Sequence, residues 1–456
     1  MRNRYLVYMF TCLFILLMTA SWSDAAWYSG WSYRKSHVIN AASGAGTNYQ
    51  VCIKVYSGSG TDGTETVNGV TCGKVYLTSH GSNWPNDIGF TGSDGTTLLD
   101  HWKQTSDAAS AVFWVKVQED LSSVNRTIYI YYGKSGQSSA SNGTNTFLLF
   151  DDFDNLNNWS SGNRAGGTAT TSSSLLTLAP AQTWDGVYVR SSNSFSFGNI
   201  RAEIRYELTG PPNYCNPCAQ SFQISFLVPG QSYPRDNTYY YTITGAALPA
   251  PIFACGFERG PHSNTTSGCE AGSGNTNDNF SSCWYSGDYP TSYFMNRSLS
   301  QFAYGSGVYY KIGFAVTSSK VTERVYKESD GSTIYDQNAN VNSTHYSNFG
   351  SSALFEMLSW GYQVSGTKVD WVFVRRFVDS EPSQGAWGSE ESPSHSSYKT
   401  KVGTAKDWVW KIVYSTDAVN TVPSGTPSDW TWRTWEPGSG RKVPQGTAAD
   451  WSWGAE

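Results

Sequence analysis

The stretch "YQVCIKVY", Tyr49 to Tyr56, sets Val51, Ile53 and Val55 against Gln50, Cys52 and Lys54. Side chains of an extended chain alternate between two faces, so this is the period of a strand with one face turned to a core. Outward from it the same habit returns in "AVFWVKV" from Ala111 and "TIYIYYG" from Thr127, and each run stops at Gly, Ser, Asn or Asp. Short alternating runs between turn residues are the rhythm of a β-sandwich. Composition agrees: charged and aromatic residues each make up 15% of the chain, and 44 glycines punctuate it. An all-β, multi-domain chain is expected.

Ahead of these runs, Arg2 and Arg4 precede "LVYMFTCLFILLMTA" and the small-residue site Ser23 to Ala25. That order is a signal peptide over residues 1–25, favoured over a retained membrane anchor by the small residues at the cleavage position. The mature chain is therefore expected to be secreted or extracellular, at a cell surface or in a surface appendage, with no membrane span after signal removal. A net charge of -5 and no basic stripe argue against a nucleic acid partner. Of eight cysteines one lies in the signal peptide, leaving Cys52, Cys72, Cys215, Cys218, Cys255, Cys269 and Cys283 as disulfide candidates. Their number is odd and their pairing open. Cys215 and Cys218 form a lone CxxC, a poor basis for zinc or redox chemistry in an oxidising compartment.

Four ordered segments, "GWSYRKSHVI", "DIGFTGSDGTTLLDHW", "AVFWVKV" and "TIYIYYGKSGQSSASNGTNTFLLFDDF", together resemble the family of domain of unknown function 2341. The resemblance implies a small β-sandwich over residues 26–150, of a kind found in envelope and secreted proteins, without established catalytic residues. The stretch from Thr71 to Asp87 is longer than that pattern leads one to expect. From 151 to 383 the opening "FDDFDNLNNW" and the closing "VDWVFVRRFVDSEPS" resemble the ends of a concanavalin A-like jelly roll, whose first and last strands are sheet neighbours. The resulting fold class is two consecutive antiparallel sandwiches and a Trp-rich tail. The segment 211–293, rich in Cys, Gly, Asn and Ser, reads as long stapled loops rather than extra core. Residues 384–402 read as a solvated linker.

The tail, 403–456, repeats a Gly-Thr-x-x-Asp-Trp-x-Trp frame, with Trp408 and Trp410, Trp430 and Trp432, and Trp451 and Trp453 at equivalent places. One residue between tryptophans puts both on one side of a strand, so the repeat is expected to form a seam and to serve assembly.

Candidate chemistry is sparse. "EIRYE" places Glu203 and Glu207 on one strand face, where concanavalin-like glycosidases carry their two carboxylates; were the chain an enzyme, these would be its pair. The middle position is Arg205, which works against keeping one Glu protonated, and an ordinary charged sheet face explains the pattern as well. The six histidines, His37, His80, His101, His262, His345 and His395, show no metal or triad spacing and read as surface or turn residues. Asp151, Asp152 and Asp370, brought near one another by pairing of the first and last strands, are a candidate calcium set that the jelly-roll resemblance suggests. Trp284 and Tyr285, in the loop-rich insert, are the candidate glycan-stacking residues.

Three functions are consistent with these readings. A non-catalytic structural protein that self-assembles with copies of itself into a filament or surface layer ranks first. A glycan-binding adhesin or lectin-like protein follows, and a glycoside hydrolase comes last.

Overall fold

The computed structural model describes residues 26–163, 165–181, 186–208, 220–231, 252–259, 279–285, 293–298, 307–341, 343–361 and 366–393. Residues 1–25, expected to be a signal peptide, and the Trp repeats lie outside the described residues. Two compact units divide the chain after Ser392, and the structure below is that of the first.

Eight strands open the chain: β1 (Tyr33–Asn40), β2 (Tyr49–Tyr56), β3 (Gly63–Val67), β4 (Val70–Tyr76), β5 (Gly89–Thr91), β6 (His101–Ser106), β7 (Ser110–Val117) and β8 (Arg126–Tyr132). A one-turn helix, α1 (Gly143–Thr146), capped by the Asn142 side chain, leads out of them. The jelly roll follows as β9 (Leu149–Asp151), β10 (Trp159–Asn163), β11 (Thr168–Thr171), β12 (Leu176–Ala179), β13 (Gly186–Ser191), β14 (Phe195–Ser196), β15 (Ile200–Leu208) and β16 (Gln220–Leu227). It continues through β17 (Ile252–Arg259), β18 (Asn279–Tyr285), β19 (Tyr293–Ser298), β20 (Tyr309–Val316), β21 (Lys320–Lys327) and β22 (Thr333–Asn340). A short helix, α2 (Ser343–Phe349), then precedes β23 (Ser352–Gly361), β24 (Thr367–Arg376) and β25 (Ser383–Trp387).

The first sandwich packs a sheet of order β25-β1-β8-β5 on one of order β3-β4-β2-β7-β6. Its core holds Val51, Ile53 and Val55 of the opening stretch with Ile39, Phe90, Phe113, Ile128 and Ile130. The long stretch from Thr71 begins as β4, which runs parallel to β2, so part of the unexpected length is an added strand. In the jelly roll a front sheet of order β10-β13-β23-β16-β17-β18-β19 faces a back sheet of order β11-β12-β24-β15-β20-β21-β22. Alternate residues such as Ile204 and Tyr206 of β15 and Phe222, Ile224 and Phe226 of β16 fill the space between them. As expected for this class, the first and last jelly-roll strands are neighbours: β9 pairs β24, with Asp151 opposite Val372.

The all-β, two-sandwich architecture holds, but the order is nested. After the jelly roll closes, β25 returns to the first sandwich and pairs antiparallel to β1, with Trp387 opposite His37. Backbone bonds in both directions between Arg34 and Glu391 extend the contact. The supposed linker thus begins with a strand of the first domain, held more by its neighbours than by an alternation of its own. The insert is corrected too: β16 and β17 lie within 211–293, and Phe222, Ile224, Phe226 and Phe253 belong to the core. Two of the histidines are also not surface groups, since His37 and His101 are buried.

The sandwiches share an apolar contact. The outer face of the β3-β4-β2-β7-β6 sheet, with Cys52, Cys72, Trp102 and Trp114, meets Phe147, Trp371 and Phe373. Trp102 stands edge-on to Trp371, ring centroids 5.6 Å apart, and Trp114 stands edge-on to Phe373 at 5.4 Å. Each such ring buries roughly 150–250 Å², about 4–6 kcal/mol as an upper bound. Gln50 bridges the pieces, donating to the Thr146 carbonyl at 2.8 Å and accepting from the Arg376 amide at 3.0 Å.

Candidate functional site

β15 determines the fate of the paired glutamates. Its even-numbered residues point into the jelly-roll core, so Arg201, Glu203, Arg205 and Glu207 share the outer face, and the first sandwich covers one end of that row. Arg201 and Arg375 are both fully buried side chains. Glu203 Oε1 lies 3.1 Å from Arg201 Nε and 3.2 Å from Arg375 Nε. Arg375 also holds Glu381 through two contacts, at 2.6 and 3.2 Å, and its guanidinium sits 5.0 Å from the Trp114 ring centroid. Tyr49 of the first sandwich donates its hydroxyl to Glu381 at 3.0 Å. Glu203 is therefore a counter-ion inside the junction between sandwiches. A buried carboxylate shared by two guanidiniums serves as their counter-ion, the arrangement of a structural ion pair.

Further along the row Arg205 lies 3.6 Å from the Tyr309 ring centroid and is held by Glu328 at 2.5 Å and Asp370 at 2.7 Å. Glu207 is 2% exposed, 4.0 Å from Lys368 Nζ. The two glutamates thus share a strand face, as the spacing predicts, but they are drawn into different ion-pair groups.

The candidate calcium residues are brought to one corner by the β9–β24 pairing. Asp151 already accepts from the Phe153 amide at 2.7 Å and from Trp159 Nε1 at 2.8 Å, and Asp370 is the partner of Arg205. Burial pushes the Asp152 carboxyl up from its ordinary range, and the charges of Asp154, Asp151 and Asp370 add to this. Among the described residues no group of three or more His, Cys, Asp or Glu side chains is placed to hold a metal ion.

Of the disulfide candidates, Cys52 and Cys72 are bonded to each other, tying β2 to β4 across 20 positions, and Cys255 is also disulfide-bonded. Cys215, Cys218 and Cys269 lie outside the described residues. Cys283 sits on β18 directly opposite Cys255. Trp284 and Tyr285 fall on that same strand, beside β17, and not in a loop as expected. The assembly tryptophans, Trp408 to Trp453, lie outside the described residues.

One polar group escaped the sequence reading. On the outer face of the front sheet, Arg190 of β13, Glu356 of β23 and Ser225 of β16 form one row across three strands. Arg190 donates to Glu356 Oε2 at 3.0 and 2.7 Å, and Gln223, one step away, donates to Ser225 Oγ at 2.7 Å. Glu356, Gln223 and Ser225 are all buried, and Gln223 Oε1 has no hydrogen-bond partner among the described residues. "SFQISFLV" does alternate Gln and Ser with Phe and Ile. An uncharged polar face of this kind is also what any sheet shows to water, so the pattern alone singles out nothing.

These features define an all-β protein of two sandwiches, a concanavalin A-like jelly roll borne by a smaller one. Residues 84–162, from the loop before β5 into β10, match the family described as Domain of unknown function (DUF2341). No curated protein matches the sequence significantly. Among solved structures, lectin II from Ulex europaeus aligns with 51% of this chain and 100% of its own, at 10% identity and a TM-score of 0.36. A Bacillus subtilis protein of unknown function with a galectin-like fold aligns with 50% of this chain and 96% of its own, at 9% identity and a TM-score of 0.36. The exoplasmic/lumenal domain of VIP36, in a Ca2+/Man2-bound form, aligns with 51% of this chain and 88% of its own, at 7% identity and a TM-score of 0.36. No helix among the described residues is long and apolar enough to cross a membrane.

Proposed function

We propose that the chain is a non-catalytic extracellular surface protein, whose two joined sandwiches are a rigid body and whose Trp repeats link copies into a filament or layer. The observation that carries this reading is the junction. Glu203, half of the acid pair that would serve catalysis, lies with Arg375 and the aromatic contact between the domains, and β25 locks the nested order. A body fused in this way suits a repeating building block, since hinge motion between subdomains would blur any lattice. Electron microscopy and sedimentation of the mature chain, beside a chain ending at Ser392, test it. Concentration-dependent polymers are expected from the first and monomers from the second. Monomers from both at the same high concentration would refute the proposal, and hydrolysis of any β-glucan lost on Glu203→Gln would refute its non-catalytic part.

A further inference from the structure

Lys35 occupies an unusual place for a lysine. It alternates along β1 with residues that face the opposite sheet, Tyr33, His37 and Ile39, and it is buried. Its Nζ crosses to that sheet: it lies 2.8 Å from Asp62 Oδ2, at the entry to β3, and donates to the Tyr76 carbonyl, at the end of β4, also at 2.8 Å. Asp62 is held from its other side, where Oδ1 accepts from the Tyr76 amide at 2.8 Å. One residue, Tyr76, thus offers its N–H to the carboxyl and its C=O to the amine. The two side chains are 8% and 19% exposed, against 19% and 31% for the Lys54–Glu65 pair at the edge of the same sheet, so amine and carboxyl are kept together and away from bulk water.

We infer that Lys35 and Asp62 condense to a side-chain amide, a self-formed covalent link between the two sheets of the first sandwich. The bond that forms is Nζ–Cγ and the bond that breaks is Cγ–Oδ2. Lys35 passes one proton to Oδ2 along their 2.8 Å contact, Nζ attacks Cγ, and Oδ2 departs with a second Nζ proton as water. Both hydrogens lost by the ammonium end in that water, and no oxidant or further reactant is consumed. Three features favour the step. Charges are costly to keep out of water, and the amide removes both. The Tyr76 N–H sits on Oδ1, where negative charge builds as the tetrahedral intermediate forms. Groups held in contact by a fold act at effective concentrations of up to ~10⁵–10⁸ M, which draws condensation forward against hydrolysis. The product also suits its surroundings, since its N–H keeps the Tyr76 carbonyl as a partner and its C=O keeps the Tyr76 amide.

Mass spectrometry of a tryptic digest of the full mature chain tests the inference. The digest is reduced first, because Cys52 and Cys72 would otherwise join the same two peptides, Lys35–Lys54 and Val55–Lys74. The expected result is one branched peptide, lighter than the sum of the two by one water, with fragment ions that place the branch at Lys35 and Asp62. The wild-type protein carries this measurement, so it does not depend on a variant that folds. Lys35→Arg, which keeps the charge but not the amine, is expected to give two separate peptides at full mass. Two separate full-mass peptides from the folded wild type would overturn the link and leave an ordinary ion pair. Loss of water confined to Val55–Lys74 would overturn it as well, since that is cyclisation of Asp62 onto the Gly63 amide, which involves no lysine.

Discussion

Protonation of His37 should release the returning strand, and the size of the effect follows from its surroundings. His37 on β1 is fully buried, stacked at 3.8 Å on Trp387 of β25. Its Nε2 is 2.8 Å from Gln384 Oε1. The Gln384 amide nitrogen donates to the Cys52 and Thr71 carbonyls, so its oxygen faces the ring and His37 Nε2 carries the hydrogen. Burial lowers the imidazole pKa from 6.5 to about 4, only partly opposed by Gln384 and by the charge of Asp62. The unfolded chain therefore binds the proton first as pH falls. The stability tied to neutral His37 is complete above about pH 6.5, declines through the window below it, and is lost below about pH 4. The full effect is about 3 kcal/mol, of which about 2 kcal/mol is gone by pH 5. Urea unfolding of wild type and His37→Gln between pH 7.5 and 4 measures it, since other titrating groups cancel in the difference. The gap between the two proteins should shift by that amount in favour of the variant as pH falls. A gap constant to within about 0.5 kcal/mol, near the usual error of such differences, would refute the argument.

Two further outcomes follow from the junction. Arg375→Met leaves Glu203 and Glu381 without their common cation and should cost about 3–5 kcal/mol in urea unfolding, whereas Glu203→Gln, which leaves the Arg375–Glu381 pair intact, should cost less; equal costs would contradict the placement. Gly69→Ala puts a Cβ 1.7 Å from the Tyr326 hydroxyl at a residue with φ +74, so it should lift the β3–β4 turn off the jelly roll and cost about 1–3 kcal/mol. A double-mutant cycle with Tyr326→Ala should show coupling of about 1 kcal/mol, and strict additivity would argue against that contact.

The sequence makes the strands legible because period-two alternation is a local property, and Val51, Ile53 and Val55 point inward as read. It hides what covers the opposite face. Gln50 and Cys52 look like solvent-facing residues but are buried, because a second domain lies on them. The same blindness affects "EIRYE" and "VRRFV". Their charges read as a hydrated surface, and only the tertiary contact reveals that Arg201, Glu203 and Arg375 are sealed together. β25 is harder still: "SQGAW" carries no alternation, and its hold on β1 comes from backbone pairing, the Gln384–His37 bond and the Trp387 stack. Pairing of Cys52 with Cys72 is one of many combinations the sequence allows, and it is the side-by-side placement of β2 and β4 that selects it.

The nested order also sets a timetable. His37 and Gln384 are 347 positions apart, so the first sandwich to be synthesised is the last to be finished. At ~5–20 residues per second, β1 waits on the order of 20–70 s with its edge unpaired while the entire jelly roll is made. An unpaired edge strand is a template for pairing with a stranger. That edge stays open until residues 383–391 arrive, which makes the order of synthesis, as much as final stability, a condition for correct folding.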